Sequence, residues 1–278
     1  MEPGKVHFEY GPVSMVVSAS ADGQPLTDLC CEVFSVIDAA LREISAMLPS
    51  LRRYPAEIDR STLSGLPLRM LESVIAVEEP SLTPMAAVAG VIADEAADWL
   101  FARYADRVLV NNGGDIALRL GPGKSAQVGI ILSPENGEIS KVVTVTDSDR
   151  IGGIATSGLG GRGFTRGVSQ GVTAFALNAA MADALATHLA NASYITSPRV
   201  FTAKAGTLDP DSDIKNLEVV IGKDTLTEEE VEYSLEKVRK EALRQMQMGN
   251  LLGLHASVES REFSLNIPGK LIQDSLSK

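Results

Sequence analysis

Arg107-Val-Leu-Val-Asn-Asn-Gly-Gly-Asp-Ile-Ala-Leu-Arg-Leu120 sets the character of this chain. Arg107–Val110 has the length of a buried strand, and strand character resumes over Ile116–Leu120. Gly113 and Gly114 between them lack a Cβ, so a ligand or another backbone can come close, and Asp115 then offers an acceptor. Asn-Gly and Gly-Asp are also ordinary turn dipeptides, so a plain hairpin or bulge accounts for the same residues. Downstream, Gly121-Pro-Gly123 turns the chain. Gln127–Ser133 and Lys141–Thr146 then read as two more strands joined by a loop that holds Asn136-Gly137, a β-meander.

Helical periodicity flanks this meander. Residues 27–48 repeat apolar side chains at helical spacing, with Thr27 placed to cap and Pro49 to end the helix. Pro67–Val77 predicts a short helix and Pro84–Tyr104 a second long one, amphipathic from Asp94 onward. Val172–Asn191 predicts an Ala-rich helix. Residues 227–248 predict a charged amphipathic helix with a Thr227/Glu230 capping box and Gly249 past its end. Val6–Ser20 reads as a hairpin, Leu217–Ile221 as a strand and Leu254–Ile267 as a final strand pair. Meanders mixed with helix pairs favour α+β, antiparallel sheets with packed helices, over a doubly wound fold. No repeat or linker divides the chain, so one domain over 1–278 is expected.

The 278 residues carry a formal net charge of −11, with 45% hydrophobic and 22% charged residues. That is globular composition. An acidic chain without a basic stripe is a poor match for phosphate backbones or anionic membranes, so no nucleic-acid or membrane partner is expected. The first ten residues hold Glu2, Lys5, His7 and Glu9 and no apolar core of a signal peptide. The two cysteines, Cys30 and Cys31, are adjacent. They make a poor disulfide and show no metal-ligand spacing, which fits a reducing, cytoplasmic setting. Inside an amphipathic helix with no activating base they read as buried, inert thiols.

Two further constellations stand out. Gly152–Gly163 offers many amides, the hydroxyls of Thr156 and Ser157, Gly158, and the cation Arg162. It reads either as a phosphate cradle or as a flexible loop, and it lacks the Gly-Lys-Thr/Ser ending of a Walker loop. The stretch Ala176–Ala190 is almost entirely small or apolar except for Asp183 and Thr187. These two stand four apart and project from one helix face. A carboxylate on a buried helix needs a cation, an arginine or several N–H donors, and a hard divalent ion with oxygen ligands would satisfy both side chains. A half-exposed helix with Asp183 facing solvent is the competing reading.

Taken in order, Val110-Asn-Asn-Gly-Gly-Asp115, Ala155-Thr-Ser-Gly158 and Ala182-Asp-Ala-Leu-Ala-Thr187 resemble the ApbE flavin-transferase superfamily. Pro84-Met-Ala-Ala-Val-Ala-Gly-Val-Ile-Ala-Asp94 looks like that family's helix start, and the chain resembles a shorter ApbE-like group. The resemblance implies an α+β, T-fold-related architecture. It also implies FAD as substrate or ligand and Mg²⁺ held by Asp183 and Thr187. The flavin pocket would be lined by Met85, Ala86, Asn112, Gly113, Gly114, Asp115, Thr156, Ser157, Gly158 and Arg162. Ala89 stands where the family has Lys, and the family's His-x-x-Asp-Pro-x-Thr-Gly segment has no counterpart here. The functions implied are flavin transfer or cleavage of the FAD pyrophosphate. The alternative is a non-catalytic accessory protein in sulfur assimilation and homocysteine formation. The apolar stripe Val231, Leu235, Val238, Ala242 and Met246 suggests a homodimer.

Overall fold

The computed structural model describes residues 4–130, 141–161 and 163–267. In chain order the strands are β1 (Lys5–Tyr10), β2 (Val13–Ala21), β3 (Gln24–Pro25), β4 (Arg107–Asn112), β5 (Asp115–Leu120), β6 (Ser125–Ile130) and β7 (Lys141–Thr146). They continue as β8 (Gly153–Ser157), β9 (Gly171–Ala176), β10 (Val200–Lys204), β11 (Glu218–Lys223), β12 (Gly253–Val258) and β13 (Arg261–Leu265). The helices are α1 (Thr27–Glu32), α2 (Phe34–Ala46), α3 (Leu48–Leu51), α4 (Gly65–Val77), α5 (Val88–Phe101), α6 (Ala179–Ala192), α7 (Ala205–Leu208) and α8 (Glu228–Gln247). This is an α+β fold of antiparallel sheets with packed helices. Its residues gather into two compact units.

The first unit comprises Met1–Ala126, Val145–Ala155 and Ala176–Ala184. Its sheet runs β1-β2-β4-β5-β8, every pairing antiparallel, with β3 folded back on β2. Strand β2 shows why: Val13, Met15, Val17 and Ala19 alternate inward and are at most 2% exposed. Helix α5 lies on β4 and β5 and also touches α2 and α4. Its inner side is buried through Val91, Ile92, Ala93, Ala96, Ala97 and Leu100, while Glu95 and Asp98 form a polar side that pairs with Arg69.

The second unit comprises Gln127–Thr144, Thr156–Phe175 and Leu185–Lys278. Here β9, β12 and β13 form one antiparallel ladder, and β10 pairs with β11. Helix α8 begins with the expected box, Thr227 Oγ1 accepting from the Glu230 amide at 3.2 Å and the Glu230 carboxylate accepting from the Thr227 amide at 2.8 Å.

Several sequence expectations change. Residues 27–48 are not one helix: α1 stops at Glu32 and α2 restarts at Phe34, with no proline or glycine marking the break. Thr27 does not cap; Leu26 occupies that position, its own N–H bonded to Ala19 O. The helix expected from Val172 starts only at Ala179, because Gly171–Ala176 is strand β9. All six of its residues are buried, and a short apolar run covered on both faces has no period to distinguish it from a buried helix. Strand β10 was not anticipated. Cys30 is buried but Cys31 is exposed, since a single turn of α1 directs adjacent side chains to different sides. The α8 stripe packs into the core of its own unit. Val231 and Leu235 join Val168, Ile195, Val220, Leu226 and Val258 there, so the stripe is not an outward dimer face. The Asn136-Gly137 loop lies outside the described residues.

Candidate functional site

The first unit holds Met85 and Ala86 in the 3-10 turn that leads into α5, Asn112 at the end of β4, Gly113 and Gly114 in the turn, Asp115 opening β5, and Asp183 on α6. The second holds Thr156, Ser157, Gly158 and Thr187. Arg162 lies outside the described residues.

The Gly-Gly pair makes a two-residue hairpin turn, since Asn112 and Asp115 are direct partners across β4 and β5. Both glycines have positive φ, 68° and 113°, as this turn class requires. A Cβ on Gly114 would meet nothing within 4 Å, so the space beside the turn is open. Asn111 Oδ1 accepts from the Gly114 amide at 2.8 Å. Asn112 Nδ2 donates to Ala89 O at 3.1 Å, fixing the hairpin to the first turn of α5.

That first turn meets the first turn of α6 backbone to backbone. A Cβ on Gly90 would stand 2.2 Å from Ala179 O, and one on Gly153 would stand 2.2 Å from Asn178 O. No side chain fits in either place. The glycines of this part of the Gly-rich segment therefore serve close packing rather than an open loop. At the contact the two helices cap one another. Asp183 Oδ2, on α6, accepts from the Gly90 amide at 3.0 Å. Asp94, on α5, accepts from Ala179 N at 3.0 Å and from Ala180 N at 2.9 Å. Each carboxylate thus satisfies N–H groups that a helix start leaves unpaired.

Their electrostatic surroundings differ. Asp94 is fully buried and paired with Arg119 at 2.9 Å; Arg119 also binds Asp98 at 2.6 Å, and Arg69 stands 3.8 Å from Asp94. Asp183 has no lysine or arginine partner among the described residues. Loss of hydration, and then the charge of Asp115, push its carboxyl well above the usual carboxylate range, and Asp94 adds to the effect. The amides of Gly90 and Ala89 work against the shift. Asp183 is tightly hemmed in by protein atoms, yet part of its surface still reaches solvent. A desolvated carboxylate at a helix N-terminus, in the field of a second carboxylate and with a path to solvent, is a group whose charged form a hard cation would stabilise. Among the described residues no cluster of three or more His, Cys, Asp or Glu could hold a metal. A binding ion would therefore have to complete its shell with waters or ligand oxygens.

In the second unit the Thr156 hydroxyl lies 2.8 Å from that of Thr173. Gly158 has φ 145°, and a Cβ there would be 2.6 Å from Gln170 O. The amides of Leu159, Gly160 and Gly161 donate to backbone carbonyls, so these three are already used. His188 binds Glu241 at 2.8 Å and is structural. A cavity of about 280 Å³ in the first unit is lined by Phe101, Leu118, Arg119, Arg150 and Leu177. It lies by the last turn of α5, whereas Asp183 bonds to the first, and none of the candidate residues lines it. Asp94, Gly90 and Arg119 escaped the sequence reading. A lone Asp among Val91, Ile92, Ala93, Ala96 and Ala97 was the available signal for the first.

A family model described as "AbpE bacteria" matches residues 1–265. The UPF0280 protein of Methanopyrus kandleri is 30% identical over 178 residues, 61% of this chain and 70% of the relative. That of Methanococcoides burtonii is 30% identical over 193 residues, 69% of this chain and 78% of the relative. Among solved structures, a mutant of the flavin transferase ApbE from Vibrio cholerae aligns with a TM-score of 0.44 at 16% identity, over 66% of this chain and 85% of that one. The ApbE protein of Thermotoga maritima aligns with a TM-score of 0.47 at 15% identity, over 98% and 96%. Among the described residues no helix is long and apolar enough to cross a membrane. With the match spanning nearly the whole sequence, and the motifs read from it in the same order, the chain belongs to the AbpE bacteria family, within the ApbE-like superfamily, alongside the UPF0280 proteins.

Proposed function

We propose that this protein binds FAD or a related dinucleotide together with Mg²⁺, held at Asp183. The observation that carries the reading is the enclosed Asp183 carboxylate, set on the Gly90 amide at the start of α5 within the field of Asp115 and with no basic partner among the described residues. The donor set fits the ion. Mg²⁺ takes oxygen ligands, usually through one or two carboxylates with phosphate and water completing the shell, whereas Zn²⁺ would call for His or Cys. Thr187, one turn further along α6 on the Asp183 face, is the second side chain we assign to the metal. When bound, Mg²⁺ would neutralise pyrophosphate charge.

The remaining work falls to the chain itself. The Asn112 amide anchors the hairpin to α5, and the open space at Gly114 leaves room for a ligand beside Asp115. Met85 and Ala86, half-buried ahead of α5, are assigned to the flavin pocket, as are Thr156, Ser157, Gly158 and Arg162. Without the family's His-containing segment, transfer of FMN to a protein threonine should be weak or absent even where FAD binds. Binding, with pyrophosphate cleavage as the accompanying chemistry, is the reading we favour. Residence in the cytoplasm remains part of this proposal.

Calorimetry with FAD, with and without Mg²⁺, tests it. Wild type should bind in a metal-dependent way. Asp183→Asn, which still accepts from Gly90, should weaken that binding about tenfold or more, a loss of ~1.4 kcal/mol. Thr187→Val should do less. Equal, metal-independent binding by wild type and Asp183→Asn would overturn the site.

A further inference from the structure

We propose that β1 is the seam of a symmetric dimer, pairing antiparallel with β1 of a second copy of this chain about a twofold axis at His7. Strand β1 is the terminal strand of the first unit's sheet. Its inner edge pairs with β2 over six positions, from Lys5 opposite Ser18 to Tyr10 opposite Val13. Among the described residues no strand pairs with its outer edge. An edge of this length that no described strand pairs is a template for another strand.

The side chains of β1 are sorted for such pairing. Lys5, His7 and Glu9 share the face on which Val16 is exposed. Val6, Phe8 and Tyr10 share the other, opposite the buried Val17, Met15 and Val13. On that second face an aromatic group continues to the edge. Phe8 stacks on Phe34 with centroids 5.9 Å apart, and Tyr10 meets Phe34 edge-on at 5.1 Å. Tyr10 and Phe34 remain 39% and 40% exposed.

Around His7 the sequence Lys-Val-His-Phe-Glu is its own complement. Antiparallel pairing about His7 sets Lys5 of each copy opposite Glu9 of the other, and Val6 opposite Phe8. The ion pair therefore occurs twice on one face, and the apolar pair twice on the other. A slip of one residue sets charged side chains against apolar ones, so the pattern fixes the register. Glu9 already accepts from Ser14 Oγ at 2.7 Å and meets His7 at 2.9 Å. Its carboxylate still has acceptor capacity for a lysine across the seam. Strand β13 shows that this symmetry is not automatic. Reading Arg261-Glu-Phe-Ser-Leu265 about Phe263 sets Arg261 against Leu265, with no complementary charge.

Sedimentation velocity on the full chain, with circular dichroism to confirm folding, tests the seam by charge exchange. At about 50 μM the wild type should be a dimer, as expected for a Kd near ~1 μM. Lys5→Glu and Glu9→Lys should each weaken it about tenfold or more, because each puts two like-charged pairs into the seam. Lys5→Glu combined with Glu9→Lys restores opposite charges and should bring the dimer back to within about threefold of wild type. A monomeric wild type would overturn the proposal. So would folded single variants that dimerise like wild type, or a double variant no better than the singles.

Discussion

Asp94 on α5 accepts from the first amides of α6, and Asp183 on α6 accepts from an amide in the first turn of α5, yet the two stand in opposite electrical surroundings. Asp94 faces Arg119 and Arg69; Asp183 faces Asp115. A carboxylate kept only for capping is best served by a guanidinium, and the first unit supplies one to Asp94. Setting a second carboxylate against Asp183 instead costs stability. That contrast between two otherwise matched positions is why we assign the proposed cation to Asp183 and not to Asp94.

The largest expected effect comes from breaking the neutralised end. Asp94→Ala leaves two α6 amides uncapped and Arg119, whose side chain is 17% exposed, with only Asp98 for charge compensation. Urea denaturation should show a loss of ~3 kcal/mol, the lower end for a broken buried pair because Asp98 remains. A loss below about 1 kcal/mol would mean that the pairing is not structural. Gly90→Ala attacks the contact that both ends share, since its Cβ would sit 2.2 Å from Ala179 O. A cost of ~2 kcal/mol is expected from forcing the helices apart, and unchanged stability would show that α5 and α6 are not in backbone contact.

The smallest effect has the opposite sign. In EDTA near neutral pH, Asp183→Asn should leave stability unchanged or raise it by up to ~1 kcal/mol. The sign follows from linkage. Asp183 is held above its ordinary value of 3.8, so the folded protein keeps a proton that the unfolded chain has released. Wild-type stability therefore falls as pH rises from about 4 through the folded value. The Asn variant lacks that component, so the two curves should converge at low pH and separate above it. Mg²⁺ at ~10 mM should return ~1.4 kcal/mol to wild type if Kd is ~1 mM, and nothing to the variant. If Asp183→Asn were destabilised as much as Asp94→Ala, the contrast between the two carboxylates would be lost.

What could be read from sequence was whatever is local. The Thr227/Glu230 box and Gly249 frame α8 because a cap is decided within four residues. The Asn112–Asp115 hairpin was legible for the same reason, and Asp183 stood out as a charge on an Ala-rich helix. The capping exchange was not legible, because its partners are brought together only by the packing of α5 on α6. Strand β9 was lost to a helix reading because all six of its residues are buried. The glycines at 152 and 153 suggested a phosphate cradle, while the carbonyls of Leu177 and Asn178 that occupy the space beside them are 25 residues further on.

The crossed caps also bear on how the chain is made. Gly90 and its partner Asp183 are 93 residues apart, and Asp94 and Ala179 are 85 apart. The first unit is drawn from three separate stretches and is complete only with Ala184. At ordinary translation speed, α5 waits on the order of ten seconds after leaving the ribosome before either exchange can form. Contacts this distant in sequence also slow folding intrinsically. During that interval the apolar surface of α5 has no α6 to cover it. A nascent chain stalled before residue 180 should therefore be protease-sensitive in α5, and one that has released residue 192 should be protected.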